Sequence, residues 1–251
     1  MRPDVIDLRA FYASPLGATA QRLVRRQIRA FWPDLSGLRV LGLGYATPFL
    51  RPFRDEAERV LAIMPAPQGV VHWPGEGPGL VALADEGELP FPDASVDRVL
   101  VVHGLEVADH PPGMLREIWR VLTPAGRILV VVPNRRGLWA RLERTPFAHG
   151  RPFSSSQLTG ILRESLFTPT RWGGALYVPP SERRMVLRAA LAIENAGQSW
   201  WPRFSGVHVV EASKQIYALD GQRRAVRAPR RRALPLPLPA PAARRSGHPP
   251  E

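Results

Sequence analysis

The chain contains no cysteine, which excludes disulfides, thiolate metal sites and covalent cysteine catalysis. Lysine is almost as scarce: Lys214 is the only one, so nearly all of the positive charge is arginine. No run of about 18 apolar residues occurs, and no transmembrane helix is expected. The first residues, MRPDVIDLRAFYAS, carry acids and lack a continuous apolar core. They do not resemble a secretory signal, so a cytoplasmic protein is expected. No internal repeat is visible, no metal site is expected, and nothing in the sequence speaks to oligomeric state.

With 251 residues, 45% of them hydrophobic and 22% charged, the chain suits one main domain with appendages. Its formal charge of +12 invites a nucleic-acid partner, but the stretch 221–251 holds eight Arg and one Glu and so carries +7 of that total. This Pro- and Arg-rich tail cannot assemble a packed core, and disorder with local polyproline II character is expected. It contains no aromatic residue on which bases would stack, which counts against nucleic-acid binding.

The most regular stretch is 83–134. Residues 97–102 (DRVLVV) form a Val-rich apolar run, the pattern of a strand buried on both faces of a parallel sheet. Met114, Leu115, Ile118, Val121 and Leu122 then recur at helical spacing between charged positions. Thr123-Pro124-Ala125-Gly126 ends the helix, with Gly126 able to take a left-handed exit. Residues 127–132 (RILVVV) are a second buried strand, which completes a βαβ unit whose open loops lie at the carboxyl ends of its strands.

Upstream, 5–32 alternates short loops with one amphipathic helix, in which Ala20, Leu23, Val24, Ile28 and Phe31 share a face. Residues 37–44 read as a strand running into a Gly turn, 59–64 as a second strand and 69–73 as a third; 73–79, WPGEGPG, breaks any regular period. Downstream, helices are expected over 154–166, opened by a serine N-cap, and over 182–196, and one or two strands over 207–217. The divisions are a helical arm (1–36), an α/β domain (37–220) and the tail (221–251).

Three segments carry a family resemblance: 85–97 (DEGELPFPDASVD), 103–106 (HGLE) and 115–127 (LREIWRVLTPAGR). In order and without gaps they resemble the middle of class I S-adenosylmethionine-dependent methyltransferases of the type 11 group. There the text is close to D-A-E-x-L-P-F-x-D-x-S-F-D, H-V-L-E-H and L-x-E-x-x-R-V-L-K-P-G-G. The resemblance implies a Rossmann-like doubly wound sheet of about seven strands, mostly parallel with a C-terminal antiparallel hairpin. It also implies S-adenosylmethionine as cofactor and a methyl acceptor that the sequence does not name.

By the same resemblance the cofactor-binding residues are Gly42, Gly44, Tyr45, Asp85, Glu86 and His103. Asp85 matches the loop position that meets the adenine amino group, His103 the position lining the methionine end, and Glu106 a position read as structural. No catalytic residue is assigned, because a sulfonium already activates its methyl group. Gly42 stands where the family has an acid, Ala46 and Pro48 where it has further glycines, and Ala62-Ile63-Met64-Pro65 where an acid would grip the ribose. A methyltransferase-like binding or regulatory protein without the cofactor is therefore the alternative. A dehydrogenase is disfavoured, since G-x-G-x-x-G is missing. Tyr12, Trp172, Trp200 and Trp201 are candidates for an aromatic cover over the site.

Overall fold

The computed structural model describes residues 3–216; the tail expected to be disordered lies outside them. Two helices open the chain, α1 (Val5–Ala13) and α2 (Pro15–Phe31). Ser14 joins them: its N–H donates to Phe11 O at 2.9 Å and its hydroxyl accepts from Gly17 N at 3.0 Å. One residue thus ends one helix and caps the next. The join is tight, since a Cβ on Gly17 would meet Phe11 O at 1.8 Å. The sequence predicts only the second helix here. α1 turns Val5, Leu8 and Tyr12 inward but leaves Ile6 68% exposed, so its apolar pattern is weak.

The strands are β1 (Arg39–Gly44), β2 (Arg59–Pro65), β3 (Val81–Ala84), β4 (Val96–Val102), β5 (Leu122–Pro133), β6 (Phe167–Ala175) and β7 (Val207–Lys214). They form one sheet in the order β3-β2-β1-β4-β5-β7-β6. The first five are parallel; β7 lies antiparallel between β5 and β6. This is the expected seven-stranded α/β architecture with an antiparallel C-terminal pair. The remaining helices are α3 (Thr47–Leu50), α4 (Pro111–Val121), α5 (Ser155–Glu164), α6 (Arg184–Arg188) and α7 (Ala190–Trp200). Alternation along the buried strands feeds two apolar cores, one on each face. One gathers Leu23, Ile28, Phe49, Leu100 and Leu129; the other gathers Leu41, Val99, Leu115, Ile118 and Val130.

Several local expectations are corrected. The third strand is Val81–Ala84, paired with Ala62–Pro65, not 69–73; that earlier stretch starts at Gly69 (φ +85) and ends at Trp73-Pro74. Gly126 is not among the positive-φ residues, because the chain passes from α4 straight into β5 through an extended Leu122. Its lack of a side chain serves packing instead: a Cβ would sit 2.8 Å from Thr123 O. The helix expected over 182–196 breaks at Ala189 (φ −83, ψ 0) into α6 and α7. Among the described residues no helix is long and apolar enough to cross a membrane.

The recurring motif around α4 acts as a brace. Arg120 donates to Glu117, Asp93, Leu89 O and Phe91 O, while Glu117 accepts from Leu89 N. These bonds hold the 89–93 loop against α4. At the start of β4, Asp97 accepts from Arg39 N and from the Arg39 guanidinium, tying β1 to β4.

Candidate functional site

The site forms where β1 and β4 end side by side. Gly44 closes β1 at φ +80, and a Cβ there would meet Val102 O at 2.4 Å and His103 O at 2.9 Å. Only glycine permits that approach and that φ together. Tyr45 N then donates to Val102 O at 2.8 Å, which locks the two strand ends together. Gly42 sits two residues earlier in β1, and its vacant side-chain volume is taken by Leu50 Cδ1, 2.5 Å from where a Cβ would stand. Gly44 therefore shapes the floor of the site, and Gly42 packs away from it.

His103 follows β4 with φ +50, an uncommon conformation for a non-glycine residue and one that collects at functional sites. Three contacts hold it there. Tyr12, from α1, donates its hydroxyl to Nε2 at 2.7 Å. Gln68 Nε2 donates to the His103 carbonyl at 3.1 Å. Glu106 Oε1 lies 3.4 Å from Nδ1, longer than a good hydrogen bond. The tautomer with hydrogen on Nδ1 faces the carboxylate and leaves Nε2 as the acceptor for Tyr12. His103 is 1% exposed and Glu106 2%.

Aromatic rings enclose this centre. Tyr12 stacks on Tyr45 at 5.8 Å and meets Phe49 edge-on at 5.6 Å; Phe147 lies 4.8 Å from the His103 ring. Burial, with the nearby Glu106 carboxylate, pushes the Tyr12 phenol well above its ordinary range, so it stays protonated and donates. Burial also raises Tyr45. Two acceptors in this centre have no hydrogen-bond partner although both are buried: Gln68 Oε1 and the Glu106 carboxylate. Buried acceptors left without a donor are costly.

The structure brings together Gly44, Tyr45 and His103, with Gly42 just beneath. Asp85 and Glu86 stand at the carboxyl end of β3. Asp85 is exposed and its Oδ1 accepts from Gly87 N at 2.7 Å, so part of its capacity closes its own turn. Glu86 Oε1 accepts from Asp109 N at 3.2 Å. Of the aromatic candidates only Tyr12 enters the site. Trp172 meets His208 edge-on at 5.9 Å, and Trp200 and Trp201 pack on each other near the surface.

Sequence reading missed Gln68 and the part played by Glu106. Gln68 sits three residues past the end of β2, where a 3-10 turn (Ala66–Gln68) folds it back over β4; no motif announces such a turn. Glu106 is part of the 103–106 motif, and only the fold shows that its carboxylate faces His103.

A cavity of about 720 Å³ lies elsewhere, past the end of β5, lined by Asn134, Ser154, Trp172, Tyr177 and His208 among others. His208 has its titration pushed down from 6.5 to about 4, chiefly by burial. The unfolded chain therefore binds a proton that the folded chain refuses between those values. Stability is expected to be full above pH 6.5 and to fall by about 3 kcal/mol as pH drops to about 4, then level off. Urea midpoints at pH 6.5 and 4.5 check this; His208→Gln should remove most of the difference, and an unchanged difference would refute it.

Residues 40–130 match the family model described as "Methyltransferase domain". The demethylmenaquinone methyltransferase of Deinococcus radiodurans is 39% identical over 105 residues, covering 39% of this chain and 42% of that protein. The ubiquinone/menaquinone biosynthesis C-methyltransferase UbiE of Laribacter hongkongensis is 47% identical over 51 residues, covering 20% and 21%. The chain thus spans about two fifths of the first relative's length and about one fifth of the second's. Among solved structures, an S-adenosylmethionine-dependent methyltransferase from Mesorhizobium loti superposes with a TM-score of 0.56 at 16% identity, covering 75% of this chain and 96% of that one. That likeness is one of fold.

Proposed function

We propose that this chain, which belongs to the class I S-adenosylmethionine-dependent methyltransferases, transfers a methyl group to a hydroxylated aromatic ring bound against His103. The carrying observation is the Tyr12 hydroxyl on His103 Nε2 at 2.7 Å: a phenol already occupies the centre, walled by Tyr45, Phe49 and Phe147. The names of the quinone-pathway relatives agree with such an acceptor.

The unpartnered acceptors of this centre support donor binding. Gln68 Oε1 and the Glu106 carboxylate offer what the missing acids of β1 and β2 would have supplied, a place for the ammonium and ribose hydroxyls of S-adenosylmethionine, with Asp85 and Glu86 toward the adenine. Bound there, the donor supplies a methyl group on a sulfonium, electrophilic without further activation. The chain's own part is to position the acceptor, exclude water and receive a proton. Once α1 carries Tyr12 aside, His103 Nε2 is free to accept the proton of an acceptor hydroxyl, and Glu106 beside Nδ1 steadies the imidazolium that results. Tyr12 is a cover that holds the acceptor's place.

Calorimetric titration with S-adenosylmethionine tests the donor half. A one-to-one isotherm is expected, weakened about tenfold in Gln68→Leu, the worth of one hydrogen bond to a charged group. No saturable binding at millimolar ligand would favour a binding or regulatory protein. Incubation with S-adenosylmethionine and 1,4-naphthohydroquinone, read by mass spectrometry for a methylated product, tests the acceptor half.

A further inference from the structure

A second cavity, of about 680 Å³, opens on the other side of Tyr45. Three guanidinium groups line it from three separate elements: Arg9 of α1, Arg25 of α2 and Arg51 of the turn after α3, with His72 from the β2–β3 connection. Among the described residues no carboxylate lines it; Glu76 lines an adjoining cavity together with Arg51 and Arg54. Elsewhere the chain pairs its arginines readily, Arg29 with Glu56, Arg39 with Asp97 and Arg127 with Glu211. Here it leaves them together.

The arrangement is held against its own repulsion. Arg25 Nη2 and Gln21 Nε2 both donate to Pro48 O at 2.9 Å, which fixes the guanidinium on the wall. Arg25 Nε is buried with no acceptor. Burial, and then the charge of Arg51, push Arg25 below its ordinary range, so the two cations lie close enough to feel each other. A buried charged donor without an acceptor is expensive, and clustered guanidinium forks match the oxygens of a phosphate.

We propose that this cavity binds a phosphate or pyrophosphate group carried by a small molecule. Charge selects that class: three guanidinium groups exceed what a single carboxylate neutralises, whereas pyrophosphate balances most of them and has oxygens for each fork. Tyr45 is the shared wall with the His103 centre, so the anion sits beside the methyl-transfer site and apart from it. The inference stands whether or not the chain binds S-adenosylmethionine.

Calorimetry of the full chain with sodium pyrophosphate at low ionic strength is the test. A one-to-one isotherm is expected, weakened at least tenfold in Arg51→Gln, a change at an exposed position whose melting curve verifies the fold. A tail variant, Arg230→Gln with Arg231→Gln and Arg232→Gln, should bind as the parent does, and acetate should bind far more weakly. Four results would overturn the proposal: unchanged affinity in Arg51→Gln, binding lost in the tail variant, acetate as tight as pyrophosphate, or displacement of pyrophosphate by S-adenosylmethionine, which would make the cavity part of the donor site.

Discussion

His103→Ala is expected to lower methyl transfer about 10²- to 10⁴-fold, the usual contribution of a positioned general base, while leaving donor affinity within a few-fold of the parent. The split follows from geometry. The imidazole meets Tyr12 and Glu106 through its ring nitrogens, whereas the bond from Gln68 goes to the His103 backbone carbonyl and survives the substitution. The donor-facing acceptors therefore stay where they are. Single-turnover transfer to the naphthohydroquinone, alongside calorimetry with S-adenosylmethionine, separates the two effects. Tyr12→Phe provides the companion measurement: it keeps the ring over Tyr45 but removes the hydroxyl that occupies Nε2, so transfer should be retained within about tenfold. Full activity in His103→Ala would remove the residue from the mechanism.

The polar residues of this centre were named from the sequence except for Gln68 and the part of Glu106, but their mutual contacts were not legible, for a physical reason. Tyr12 and His103 are 91 positions apart, and Gln68 and His103 are 35 apart. Their meeting depends on loop conformations that no hydrophobic period encodes. The stretch 83–134 was legible for the opposite reason: β4 and β5 are buried on both faces and α4 on one, so burial writes itself into the residue pattern. β6 shows the middle case. It is an edge strand whose centre, Thr168 to Gly173, is largely exposed or half-buried, so its apolar signal is thin: the resemblance implied a C-terminal antiparallel hairpin, but the sequence reading placed its strands within 207–217 and none at Phe167–Ala175. The departures in the Gly turn were visible in sequence, but their consequence was not. The acid absent at Gly42 leaves no void, because Leu50 fills the space, and in the proposed donor site Gln68, a residue with no motif, takes over the polar function.

Trp139→Ala is expected to destabilise the fold by about 3–5 kcal/mol, the cost of deleting a large buried aromatic. Trp139 is 1% exposed, and the backbone of Gly206 presses on it so closely that a Cβ there would lie 2.4 Å from Trp139 Cδ1. Neighbours so tightly fitted by the folded backbone cannot collapse into the space an alanine leaves. The substitution also removes the indole N–H that donates to Val178 O at 2.7 Å, leaving that buried carbonyl short of a partner. Urea unfolding measures the loss; a value below about 1.5 kcal/mol, within the range of volume-conserving swaps, would show that the core does relax. The effect should reach the chemistry as well. Phe147 rests edge-on against Trp139 at 5.5 Å and faces His103 at 4.8 Å, so the ring that walls the centre loses its backing. Trp139→Phe, which keeps a ring behind Phe147, should recover transfer more fully than stability, because the hydrogen bond to Val178 stays lost while the wall against His103 is restored.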